Sequence, residues 1–121
     1  MDARVQHALV RDRTIDITTR GRKTGQLRHP EIWFHNVDGQ VYITGTPGRR
    51  DWYANMVAHP EFTFHLKQST TADLPARATP ILDVASRRAI IAGIHHTLGG
   101  ARDLDAWVNG SPLIAVEFLD A

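Results

Sequence analysis

The chain has 121 residues and no cysteine, which excludes a disulfide framework and thiolate chemistry. It also lacks any apolar run approaching the roughly 18 residues that a membrane-spanning helix needs. Its first residues, Met1-Asp2-Ala3-Arg4-Val5-Gln6-His7, put charges where a secretion signal needs an apolar stretch. These absences fit a cytoplasmic protein and leave peripheral membrane contact open. Charge of one sign is scarce as well. The formal net charge is +1 with histidines neutral, so there is no general positive field of the kind that draws nucleic acid.

Several catalytic signatures are absent. No Gly-x-Ser-x-Gly elbow is present, and Ser69, Ser86 and Ser111 have no partner in a recognisable frame. No Gly-x-Gly-x-x-Gly follows a strand, which removes a dinucleotide fold. The seven histidines include no His-Glu-x-x-His pair and no convincing ligand spacing, so no metal site is assigned. His95 and His96 are helical neighbours whose side chains diverge by about 100°. His35 and His65 fall on strands and could face one cavity. No catalytic residue is assigned.

The charge that is present is concentrated. Four of the fourteen Lys and Arg residues fall between Arg20 and Arg28, in the stretch Thr-Thr-Arg-Gly-Arg-Lys-Thr-Gly-Gln-Leu-Arg at 18–28. Two glycines and flanking extended runs make this a tight cationic turn, a candidate cradle for phosphate or carboxylate. It is not a phosphate-binding loop of the Walker type, because its lysine precedes the second glycine. Elsewhere only Arg49-Arg50 and Arg87-Arg88 pair two cations.

The remaining patterning is that of one domain, residues 1–121, long enough to bury roughly two-thirds of its unfolded surface. Residues 1–13 can form a short helix. Period-two alternation predicts strands at 14–19, 27–37, 41–44 and 61–66, with an Asp38-Gly39 hairpin turn between the second and third. A weaker strand at 73–82 carries Pro75 and Pro80, which should confine it to an edge or a bulge. A last strand spans 112–119, with Ile114, Val116 and Phe118 inward. Helices are predicted at 51–58, capped by Asp51 with Trp52, Tyr53, Met56 and Val57 on one face, and at 84–98, capped by Asp83 with Ile90, Ile91, Ile94 and Leu98 buried. A helical turn follows within 101–108. The expected architecture is α+β: about six antiparallel strands forming a barrel with two to three flanking helices.

Two segments together resemble a known family. The stretch 18–28 resembles the Thr-Thr-x-Gly-Arg-Lys-[Ser/Thr]-Gly-x-x-Arg signature of deazaflavin-dependent nitroreductase-like oxidoreductases. The stretch 51–61 is similar to their second signature, Trp-Tyr-x-Asn-Leu-x-x-[Asn/His/Asp]-Pro, through Trp52, Tyr53, Asn55, His59 and Pro60. The resemblance covers 14 to about 119 and implies a split β-barrel of the FMN-binding type. It implies an oxidoreductase passing a hydride to a hydrophobic small molecule such as a quinone or nitro compound. The implied cofactor is the 8-hydroxy-5-deazaflavin coenzyme, with FMN as second choice. Arg22, Lys23 and Arg28 would then pair with the anionic tail, and Thr24 and Gly25 would add a hydroxyl and backbone N–H groups. Asn55 would line the ring pocket with Thr44 and Thr46. Partners would be a small hydrophobic substrate and a second copy of the chain, with no nucleic acid.

The sequence departs from the family at two places. The Ser-Lys-x-Gly loop usual after the third strand is Thr46-Pro47-Gly48 here, and Arg49 or Arg50 could supply the missing cation. Tyrosines that usually stand over the cofactor are replaced by Leu98, Ala101 and Leu104, with Trp107 kept, which implies an apolar lid. Those departures favour an alternative, a cofactor-free protein that holds fatty acids or similar amphiphiles in the same fold.

Overall fold

A computed structural model describes residues 1–100 and 102–119. Eleven elements follow one another: α1 (Ala3–Arg11), β1 (Thr14–Arg20), β2 (Leu27–Arg28), β3 (Glu31–Val37), β4 (Gln40–Thr44), α2 (Asp51–Ala58), β5 (Glu61–Leu66), β6 (Ala72–Pro80), α3 (Val84–Leu98), α4 (Leu104–Gly110) and β7 (Leu113–Phe118). All strand pairings are antiparallel. The order β1-β3-β4-β7-β6-β5 closes on itself because β1 also pairs with β5, through Ile15–Leu66 to Thr18–Thr63. The result is the expected barrel, with β2 added at the far end of β1 and four helices in place of two to three. No helix among the described residues is long and apolar enough to cross a membrane.

Alternation decides what fills the barrel. Ile15, Ile17, Phe34, Val41, Ile43, Phe62, Phe64, Leu66, Ala76, Ala78, Ile114 and Val116 point inward as one core, with Phe64 edge-on to both Phe34 and Phe118. Val5, Ala8 and Leu9 of α1 and Met56 of α2 join the same core. A second core lies outside the barrel, where Ile91 and Ile94 of α3 and Val108 of α4 meet Leu113. Val37, Tyr42, Leu98, Leu104 and Trp107 pack around it.

Four expectations change in detail. The stretch 27–37 is broken at His29-Pro30 into β2 and β3, because Pro30 has no N–H to give the ladder. The register is unbroken, however: Thr19 opposes Arg28, Ile15 opposes Ile32, and between them Ile17 N–H donates to Pro30 O at 3.0 Å. Strand β6 is not an edge. It pairs with β5 and β7 on its two sides, and Pro75 is accommodated where β7 runs out, its carbonyl accepting Leu119 N–H at 2.8 Å. Asp51 is the first residue of α2 and not its cap; Arg50 is the extended cap residue and its carbonyl takes Ala54 N–H. Val57 is exposed, since five residues at about 100° each carry it away from Trp52, and Asn55 is buried in its stead. Asp83 caps α3 as expected, accepting from Ser86 N–H, and hydrogen bonding from the Ser86 side chain, then from that N–H, holds its carboxyl below the usual carboxylate range.

Candidate functional site

The cationic turn between β1 and β2 is closed from within. Gly21 N–H donates to Gln26 O at 2.7 Å and Gly25 N–H to Gly21 O at 2.9 Å, while the Arg20 guanidinium donates to Gly25 O at 2.8 Å. Gly25 has φ +74°, the left-handed region that favours glycine. A Cβ on Gly21 would come within 3.2 Å of Gln26 O and 3.3 Å of the Thr24 hydroxyl, a tight fit that would push the turn open by a few tenths of an ångström.

A second tie runs to α2. Asn55, buried on the inner side of that helix, accepts both Arg22 backbone N–H at 3.0 Å and the Arg22 guanidinium at 3.1 Å through Oδ1. Asp51 stands 3.6 Å from the same guanidinium. Arg22 is therefore a structural cation, partly neutralised and locked to α2. Asn55→Ala leaves a half-buried backbone N–H and a guanidinium without their shared acceptor. The expected loss is about 2–3 kcal/mol in urea unfolding, with the turn becoming susceptible to proteolysis after Arg22 or Lys23.

Between turn and helix lies a groove of about 600 Å³ lined by Thr19, Gly21, Arg22, Lys23, Thr24, Arg28, His29, Pro30, Asp51, Trp52 and Asn55. Among the described residues, Lys23 and Arg28 form no salt bridge, so two cations stand in it without counter-charge. Thr19 also lines the groove; it is only 1% exposed, and its buried hydroxyl has no hydrogen-bond partner among the described residues. Two cations without counter-charge, with an orphaned hydroxyl among the lining residues, are what an oxygen-rich anionic ligand would satisfy.

The groove thus collects Arg22, Lys23, Thr24, Arg28 and Asn55 of the residues expected from sequence. It leaves out the other three. Gly25 shapes the turn. Thr44 is buried and its hydroxyl donates to Pro112 O. Thr46 accepts the Arg50 guanidinium at 2.9 Å through its hydroxyl and at 3.0 Å through its carbonyl. Arg50 folds back over its own loop, close to Gly45 and Gly48, and Pro47 packs on Gly110 of α4. Thr19 and Trp52 stand inside the two signatures but receive no site role from the sequence, and His29 lies outside both. Parity could have exposed Thr19, because β1 turns Ile15, Ile17 and Thr19 inward in succession.

The apolar lid is not over this groove. Leu98, Leu104 and Trp107 belong to the second core, because the apolar stripe of α3 needs a partner and α4 provides it; Ala101 lies outside the described residues. His35 and His65 do not share a cavity either. His35 is buried beneath α3, where lost hydration, followed by Arg13, Arg102 and His95, lowers its pKa to about 4. His65 faces outward and bonds Thr18 and Asp73. Among the described residues no cluster of His, Asp and Glu could hold a metal ion.

A closed antiparallel barrel with a cationic groove at the end of β1 has the split-barrel architecture. The chain belongs to the F₄₂₀H₂-dependent quinone reductase family, whose model matches residues 1–95. Solved structures share the fold. A conserved hypothetical protein from Mycobacterium tuberculosis superposes with a TM-score of 0.76 at 15% identity, covering 98% of this chain and 80% of that one. An FAD-binding protein from Mesorhizobium loti gives 0.71 at 14%, covering 99% and 91%. A protein named F₄₂₀ reductase gives 0.65 at 17%, covering 95% and 93%. At these identities the likeness speaks for the architecture alone.

Proposed function

We propose that this protein is a reductase that uses the reduced 8-hydroxy-5-deazaflavin coenzyme to reduce a hydrophobic small molecule such as a quinone or nitro compound. The observation that carries the reading is the pair of uncompensated cations, Lys23 and Arg28, in one groove with the Thr19 hydroxyl, which has no partner among the described residues. Family membership points the same way. When bound, the deazaflavin supplies the hydride, and the protein supplies orientation and charge. Lys23 and Arg28 would hold the anionic tail, Thr19 and Thr24 would offer hydroxyls, and Asn55 would keep Arg22 and the turn in place. FMN, with its single phosphate, is the second candidate for the same groove.

Titration with oxidised deazaflavin should quench tryptophan fluorescence saturably, since Trp52 lines the groove. Lys23→Ala and Arg28→Ala should each weaken binding by about 1.5–3 kcal/mol, roughly ten- to hundredfold, because each removes a charged hydrogen bond. Absence of saturable binding of deazaflavin, FMN or FAD at high micromolar concentration would overturn the reading.

A further inference from the structure

Reduction by hydride leaves an anion that needs one proton, and the groove carries a hydrogen-bonded chain suited to deliver it. Strand parity builds this chain. Thr18 and His29 are opposed across the β1–β2 hairpin, and Thr18, His65 and Asp73 all project from the outer face of the barrel. His29 Nδ1 lies 3.0 Å from Thr18 Oγ1, which lies 2.7 Å from His65 Nε2. His65 Nδ1 in turn lies 2.6 Å from Asp73 Oδ1. His29 also lines the groove, and its Nε2 has no partner among the described residues.

We propose that His29 is the proton donor of the groove, supplied by the His65–Asp73 pair through Thr18. The assignment rests on the reductase reading above. Asp73 is an exposed carboxylate and accepts His65 Nδ1–H, which leaves two polarities for the rest of the chain. With His65 neutral, its Nε2 accepts the Thr18 O–H, so Thr18 accepts Nδ1–H from His29 and the groove meets a bare Nε2. With His65 as imidazolium, Nε2–H donates to Thr18, Thr18 O–H donates to His29 Nδ1, and the groove meets Nε2–H.

Passing from the second state to the first releases one proton. The His29 Nε2–H bond breaks as an O–H bond forms on the reduced acceptor; the Thr18 proton moves to His29 Nδ1, and the His65 Nε2 proton moves to Thr18. His65 ends neutral and still bonded to Asp73, no electrons move along the chain, and solvent reprotonates it in the reverse order. The hydride comes from the reduced coenzyme, so a quinone becomes a hydroquinone. Other charges near the chain are Asp16, opposite His65 in the β1–β5 register, Lys67, paired to Asp16 and Glu31, and Arg28 beside His29.

Two measurements test the relay. Long-range ¹H–¹⁵N spectra of the free protein should show His29 as the Nδ1–H tautomer wherever the His65 ring is neutral. Wherever His65 is imidazolium, His29 should carry Nε2–H with Nδ1 accepting in wild type and in Thr18→Ser, but not in Thr18→Val. A His29 tautomer that is the same in all three proteins at every pH overturns the relay without touching the anion clamp. With reduced deazaflavin and menadione as the quinone, Thr18→Val should lower kcat about tenfold or more with KM unchanged, and Thr18→Ser should restore it. Equal kcat in wild type and Thr18→Val overturns proton delivery. No quinone reduction by wild type overturns the reductase reading and the delivery with it, while the tautomer result still decides the hydrogen-bonded chain.

Discussion

Arg87→Ala should be among the most destabilising single substitutions in this protein, at about 3–5 kcal/mol in urea unfolding. Arg87 is only 9% exposed, and its guanidinium donates to Val108 O at 2.8 Å, Ile81 O at 2.9 Å, Ser111 O at 2.6 Å and, more weakly, Trp107 O at 3.4 Å. Those carbonyls belong to the end of β6, the last turn of α4 and the entry to β7. One side chain of α3 therefore closes the C-terminal end of α4 and ties the second core together. Truncation leaves buried carbonyls without donors as well as a cavity. The neighbour Arg88 reaches Asp105 at 2.8 Å on the surface, an ion pair that solvent screens, so Arg88→Ala should cost less than about 1 kcal/mol. Similar losses for the two variants would contradict this account.

Acid should destabilise the protein through His35. Burial of a neutral imidazole beneath α3, with Arg13, Arg102 and His95 near it, lowers its pKa from 6.5 to about 4. Above 6.5 His35 is neutral folded or unfolded, and its contribution to stability is complete. As the pH falls below 6.5 the unfolded chain binds a proton that the folded chain refuses, so stability drops until about pH 4 and then levels off. At about 1.4 kcal/mol for each pH unit of that interval, the loss is about 3 kcal/mol. His35→Gln cannot titrate. Its unfolding free energy should therefore fall by about 3 kcal/mol less than wild type between pH 7 and pH 4, and parallel pH profiles for the two proteins would refute the assignment. His95 shifts in the same direction, lost hydration again being the main cause, and its ring stands edge-on to Trp107 at 4.5 Å. Both histidines carry a buried nitrogen without a partner among the described residues, His35 Nδ1 and His95 Nε2. The packing of α3 on the barrel is thus where acid should act first.

Much of the molecule is legible in the sequence, because local rules and long-range packing agree there. Period-two alternation places the strands that form the barrel, Asp38-Gly39 marks the β3–β4 hairpin, and Asp83 and the Ile91–Ile94 stripe mark α3. The glycine-bounded cluster of cations from Arg20 to Arg28 marks one wall of the groove. These features are properties of neighbouring residues, whose backbone geometry sets which side chains share a face.

Tertiary structure alone decided which of those side chains are free to act. Arg22 and Lys23 are adjacent cations, yet Asn55 and Asp51 take up Arg22 while Lys23 stays open to the groove. Leu98 and Leu104 suit a lid in sequence, but two amphipathic helices bury them against each other. Thr18, His29, His65 and Asp73 carry no common motif; barrel closure brings β1, β5 and β6 side by side and aligns their outer faces. Such a juxtaposition depends on register between strands distant in sequence, and no local pattern encodes it. The sequence by itself determined the barrel and the position of its cationic turn. The fold determined which cations are unpaired and which polar side chains are linked to the groove, because those depend on partners that only chain closure supplies.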